Sequence, residues 1–135
     1  AGAVASEVVV NALLIVSQLA RASPAFYPPL QEAALSPYVH ALLGHEVGSV
    51  RAKACNLVGN LCRHSDFFYQ SLITPVNSRP QRDDAGDHRT VLGRLILACV
   101  DPDPAACKFA CFALGNAAFH SPRLYPHLGP AVPRL

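Results

Sequence analysis

The side chains with reactive or ligating chemistry in this chain are five cysteines and six histidines. Cys107 and Cys111 stand at i and i+4, which places both thiols on one face of a helix. That pair alone holds no metal. A structural zinc site takes four nitrogen or sulfur ligands, and neither Cys-x-x-Cys nor His-x-x-x-His occurs. His64 and His120 each close a stretch of helical periodicity, where an imidazole meets free carbonyls and the negative end of the helix dipole. Cys55, Cys62, Cys99 and Cys111 read as small core residues. A nucleophilic thiol needs a thiolate beside a base, and no spacing here supplies one. The expectation is therefore no catalytic residue, no metal site and no cofactor. An odd number of cysteines inside helical patterns argues against a disulfide framework and for a reducing, cytoplasmic setting.

A second set of residues has a spacing suited to recognition. Lys53, Asn56, Asn60 and Arg63 fall on one helical face. Matching positions in two further stretches of the sequence extend it into rows: Asn11, Lys53, Phe109; Leu14, Asn56, Phe112; Gln18, Asn60, Asn116; Arg21, Arg63, Phe119. An amide donates and accepts at once, which suits a peptide bond, and cations suit an acidic one. The candidate protein-binding stripe is Gln18, Arg21, Lys53, Asn56, Asn60, Arg63, Phe112 and Asn116. A second reading of Asn60 and Asn116 stays open, in which they tie neighbouring backbone between units. Phe109, Phe112 and Phe119 have two readings, an exposed aromatic anchor patch for a partner or a face that a further unit covers, and the second is the expectation. The partner class is a protein or an extended peptide. A net charge of +2 gives no argument for nucleic acid, and no run reaches the ~18 apolar residues of a membrane span.

These residues are positioned by a unit written three times. Ala54, Cys55, Gly59, Asn60, His64, Ser65, Tyr69 and Leu72 recur as Ala110, Cys111, Gly115, Asn116, His120, Ser121, Tyr125 and Leu128. Val8, Ala12, Val16, Leu19, Arg21, Ser23, Tyr27 and Leu30 answer Val50, Ala54, Val58, Leu61, Arg63, Ser65, Tyr69 and Leu72. A period of about 40 residues marks a helical solenoid. The expected fold is all-α, a right-handed superhelix of about three units with no sheet.

Each unit reads as a short, a medium and a long helix. The middle long helix spans roughly 48 to 63 and buries Val50, Ala54, Leu57, Val58 and Leu61 on one face. Val8, Ala12, Ile15, Val16 and Leu19 form the matching face of the first copy, and Ala106, Ala110, Ala113, Leu114 and Ala117 that of the third. Ala52, Cys55, Gly59 and Cys62 make a small-residue face, and Gly59 and Gly115 are expected to admit a neighbouring helix closely. Ser23-Pro24, Ser65-Asp66 and Ser121-Pro122 read as helix starts. Medium helices are expected near Ser36 to Leu43 and Arg89 to Val100. The units fall at about 1–22 (partial), 23–64, 65–120 and 121–135 (partial). The second interval is longer than the first, and the extra residues form a polar insertion over 74–89. With 51% hydrophobic and only 15% charged residues, the chain is expected to be a slice of a longer solenoid with further units at both ends.

The Ala-x-x-(Ala/Leu/Val)-Leu/Val-Gly-Asn pattern, best matched at 53–62 and 109–118, resembles armadillo repeats. More narrowly, Val50-Arg51-Ala52-Lys53-Ala54-Cys55, then Gly59-Asn60-Leu61-Cys62-Arg63-His64-Ser65 and Phe67-Phe68-Tyr69, is similar to the carboxy-terminal repeats of the Fused family of serine/threonine kinases. The resemblance implies a parent with an amino-terminal kinase domain and a long repeat-containing tail. It also implies a role in Hedgehog signalling and cilium assembly, or in cytokinesis in plants. No Gly-rich loop, His-Arg-Asp or Asp-Phe-Gly is present, so the resemblance implies a non-catalytic tail segment. Armadillo importers use the long-helix Asn to hold an extended peptide and pair it with a Trp four residues earlier. Leu14, Asn56 and Phe112 stand there instead, which argues against an importer-type groove. The alternative function is an armadillo adaptor unrelated to a kinase, such as a peptide-binding transport adaptor.

Overall fold

The computed structural model describes residues 2–76, 89–120, 122 and 125–128, and every regular element among them is helical. The long helices are α1 (Gly2–Ala22), α4 (Gly48–Leu61) and α7 (Pro104–His120). The medium helices are α3 (Ser36–Leu43) and α6 (Val91–Ala98), and the short ones α2 (Tyr27–Glu32), α5 (Tyr69–Ile73) and α8 (Tyr125–Leu128). The α4 helix packs between α1 and α7, while α3 lies on α4, α6 on α7, and α3 against α6. The long helices thus form one layer and the medium helices a second.

Local chemistry sets the element starts. Ser23 is extended and its Oγ accepts from Ala25 N at 3.1 Å, opening a 3-10 turn (Pro24–Phe26) that leads into α2. Ser65 Oγ accepts from Phe67 N in the same way. Thr90 Oγ1 accepts from Gly93 N at 2.9 Å and caps α6, which runs over Val91–Ala98, two residues shorter at each end than the Arg89 to Val100 expected. Asp103 Oδ2 caps Ala106 N at 2.9 Å, with Pro104 in the first position of α7. Between α2 and α3, Ala34 takes φ of 52°, the left-handed region that favours glycine. Of the expected insertion, residues 77–88 lie outside the described residues, as does Ser121. Val76 N donates to Arg89 O at 2.8 Å, joining the two ends.

The core follows the periodicity in α4 and α7 and departs from it in α1. Val50, Ala54, Leu57, Val58 and Leu61 are buried, as are Ala106, Ala110, Ala113, Leu114 and Ala117. Ala52, Cys55, Gly59 and Cys62 are buried on the second face. In α1 the matching face is mostly open instead: Val8 and Ile15 are each 61% exposed, Ala12 and Leu19 are also exposed, and Val16 is half-buried against the core. The residues of α1 that α4 covers are Leu13, Ser17 and Ala20. The reason lies in which helix each face meets. A Cβ on Gly59 would stand 3.5 Å from Ala113, so the Ala113 position looks back at the preceding long helix. Ile15 is its counterpart, and among the described residues no long helix precedes α1.

Gly115 corrects the close-packing expectation by the same logic. A Cβ there would meet nothing within 4 Å, because no described helix follows α7 on that side. Gly59 keeps its role, since α7 lies against it at van der Waals distance.

Candidate protein-binding face

The long helices are joined by hydrogen bonds that recur from unit to unit. Tyr27, buried under α4, donates its hydroxyl to Asn60 O at 3.0 Å and accepts from His64 N at 3.2 Å. Tyr69 is its counterpart and donates to Ala117 O, near Asn116 O. Burial raises the Tyr27 pKa, with the bond from His64 N opposing it. His64 Nε2 meets Arg21 O at 2.8 Å, and His120 Nε2 meets Arg63 O at 2.7 Å. A carbonyl only accepts, so each of these nitrogens carries the proton. Both histidines thus satisfy terminal carbonyls as their position indicates, but those of the preceding long helix and not of their own.

The amides obey the same translation. Asn60 Nδ2 donates to Ser17 Oγ at 2.5 Å, and Asn116 Nδ2 donates to Gly59 O at 3.0 Å. One N–H of each amide is therefore committed to the helix behind it. Of the two readings open for Asn60 and Asn116, this geometry realises the tie between units. Asn60 is accordingly the buried member of the stripe, while Asn116 is half-buried.

The remaining stripe residues are open. Gln18, Arg21 and Arg63 are exposed, Lys53 and Asn56 half-buried, and Phe112 60% exposed. Asn56, Asn60, Arg63, Phe112 and Asn116 line one groove of about 410 Å³ between α4 and α7, together with Phe109 and Cys111. Gln18, Arg21 and Lys53 flank it without lining it. Phe119, 82% exposed, and Phe112 are uncovered among the described residues. Lys108 was not singled out by the sequence. Its Nζ lies 5.6 Å from the Phe109 ring and 5.9 Å from Phe112, within cation–π range. The signal was available, since Lys108 precedes Phe109 and stands i, i+4 to Phe112.

Charge is organised differently at the other end of α4. Arg51 binds Asp101 through two parallel bonds, Nε to Oδ2 at 2.8 Å and Nη2 to Oδ1 at 2.9 Å. Its third arm donates to His45 O and Glu46 O. Arg51 holds the Asp101 carboxyl below its ordinary pKa, and Asp101 in turn raises that of Arg51. Arg94 Nη1 donates to His40 O at 2.6 Å. These cations are committed to structure. The guanidiniums of Arg21 and Arg63 make no hydrogen bond or ion pair among the described residues, and neither does the Asn56 amide.

The thiols stay chemically quiet. Burial pushes Cys55 and Cys62 up to about 12. Cys107 donates to Cys99 O at 3.0 Å. No group of three or more histidine, cysteine or acidic side chains stands ready for a metal among the described residues. No helix among them is long and apolar enough to cross a membrane.

Comparison with known proteins places this face in a context. The chain is 32% identical over 123 residues to the mouse protein named serine/threonine-protein kinase 36, covering 91% of this chain and 8% of that one. It is 35% identical over 97 residues to the protein of the same name in Pongo abelii, covering 72% of this chain and 6% of that one. It is 39% identical over 61 residues to serine/threonine-protein kinase TIO of Arabidopsis thaliana, covering 45% of this chain and 5% of that one. The chain is thus similar in sequence to a segment of proteins named serine/threonine-protein kinases. It spans less than a tenth of the length of these curated relatives. No family model matches it, and no solved structure matches it.

Proposed function

We propose that this segment is a non-catalytic protein-interaction scaffold, an armadillo-type stretch of a right-handed solenoid in the regulatory tail of a Fused-type serine/threonine kinase. The sequence relation to kinase 36 supports the parentage. The unit-to-unit recurrence of the Tyr27, His64 and Asn60 bonds at Tyr69, His120 and Asn116 supports the repeat architecture. The parent is then an ATP-dependent kinase acting in the cytoplasm, with places in Hedgehog signalling and cilium assembly that follow from the Fused resemblance alone.

The observation that carries the scaffold role is the groove between α4 and α7. Its lining offers the Arg63 guanidinium and the Asn56 amide beside two phenylalanines, and among the described residues no histidine or carboxylate lines it beside Cys111. Such a surface binds and does not catalyse. The stripe from Gln18 and Arg21 through Lys53, Asn56 and Arg63 to Phe112 is the working face, the concave side of the stack.

The test is a Lys53→Ala, Asn56→Ala, Arg63→Ala triple variant. Asn60 is left intact because its amide holds Ser17. Helicity and melting should stay near wild type, since surface changes are usually within ~0.5 kcal/mol each. A partner recovered by the wild-type chain in a pull-down should be lost. Equal recovery of every partner by both proteins would move the binding site to another face.

A further inference from the structure

The groove between α4 and α7 separates main-chain recognition from side-chain recognition. Asn60 and Asn116, the amides placed for a peptide backbone, each commit an N–H to the preceding helix at Ser17 Oγ and Gly59 O. The groups left open are of another kind. Arg63 presents a planar fork of donors with no acceptor among the described residues, where Arg51 and Arg94 have theirs. Asn56, two turns earlier on the same helical face, adds an amide with no hydrogen bond among the described residues. Phe109 and Phe112 make an apolar wall, and Lys108 lies over both rings.

Among the described residues no carboxylate lines this groove. Two acids that precede α7 are already in use: Asp101 is bound to Arg51, and Asp103 caps the start of the helix at Ala106 N. Arg21 and Lys53 extend the positive field along the same stripe. A guanidinium fork pairs with a carboxylate through two parallel bonds, and an aromatic wall takes an apolar side chain beside it.

Resting on the scaffold reading, we infer that the α4–α7 groove selects an acidic segment of a partner protein, binding an Asp or Glu carboxylate at Arg63 and an apolar side chain against Phe109 and Phe112. Recognition falls on the ligand's side chains, with charge deciding which segments enter.

The experiment is a positional-scanning library of unphosphorylated random peptides, panned on the purified chain and on Arg63→Gln, Arg63→Glu and Phe112→Ala variants. Each variant is first checked for wild-type helicity and melting. Wild type should enrich Asp or Glu beside an aliphatic or aromatic residue, and a selected peptide should bind more weakly as salt rises. Arg63→Gln should weaken that peptide by about tenfold, the scale of a lost charged contact. Arg63→Glu should turn the preference toward Lys and Arg. Phe112→Ala should erase the apolar preference and leave the acidic one. Enrichment of basic residues by wild type, no charge preference, or an acidic preference unchanged in Arg63→Glu overturns the inference. The scaffold reading is judged apart from it. If the triple variant loses its pull-down partner while the library shows no acidic preference, only the inference falls. If partner binding ignores the triple variant, both fall.

Discussion

Two glycines at the same repeat position behave as different residues. Gly59 stands 3.5 Å from the Ala113 backbone and side chain at its virtual Cβ, whereas Gly115 meets nothing. Gly59→Val adds branches beyond that Cβ and should cost ~1–3 kcal/mol through overpacking. Gly115→Ala should stabilise by up to ~1 kcal/mol, because an exposed helix interior favours Ala. Thermal melts of the two variants check both signs, and a stabilised Gly59→Val would end the packing account. Ala34 offers a third residue-scale case. Its φ of 52° strains an L side chain, so Ala34→Gly should raise stability by ~0.5–1 kcal/mol, the left-handed strain exceeding the added chain entropy.

Among the elements, the start of α4 is tied to the turn between α6 and α7 by a charged pair in addition to apolar packing. Arg51 and Asp101 are both largely covered and bond through two contacts. The folded-state pKa of Asp101 is depressed, mainly by its bond to Arg51 and against the cost of burial. A depressed carboxyl contributes stability that is present above its ordinary value of 3.8 and is lost as pH falls through the folded value. Asp101→Asn should therefore cost ~1–3 kcal/mol near neutral pH, the scale of charged hydrogen bonds. Urea titrations at pH 7 and at successively lower pH should show the gap to wild type closing only below the ordinary aspartate range. A gap independent of pH would mean the pair carries no net charge-dependent stabilisation.

For the molecule as a whole, the recurring ties predict modular energetics. Tyr27 ties α2 to α4 within one unit, and Tyr69 ties α5 to α7 within the next, each through a hydroxyl on a helix-end carbonyl. Tyr27→Phe leaves Asn60 O and His64 N short of a partner and should cost about 1–2 kcal/mol. Tyr69→Phe should cost a similar amount, and the double variant should equal the combined losses within ~0.5 kcal/mol, as for distant independent sites. Strong coupling between them in a double-mutant cycle would contradict nearest-neighbour stacking.

Helix existence, order and most boundaries were legible in the sequence, because 3.6-residue periodicity and Ser, Asp and Pro starts act over a few neighbouring residues. Ser36–Leu43 was read without error, and the buried faces of α4 and α7 fell where the spacing put them. The related stripe was legible as a face of one helix, since Lys53, Asn56 and Arg63 need no partner to share it. The tertiary structure decided everything that depends on what stands opposite. It turned Ile15 outward, since no described helix precedes α1, and gave Gly59 a neighbour that Gly115 lacks. It drew the Asn60 amide back to Ser17, brought Arg51 onto Asp101 across a long stretch of chain, and left Arg63 free beside Phe109 and Phe112. Periodicity is a property of one segment, whereas a side chain's partner is set by the register between segments, which no local pattern encodes.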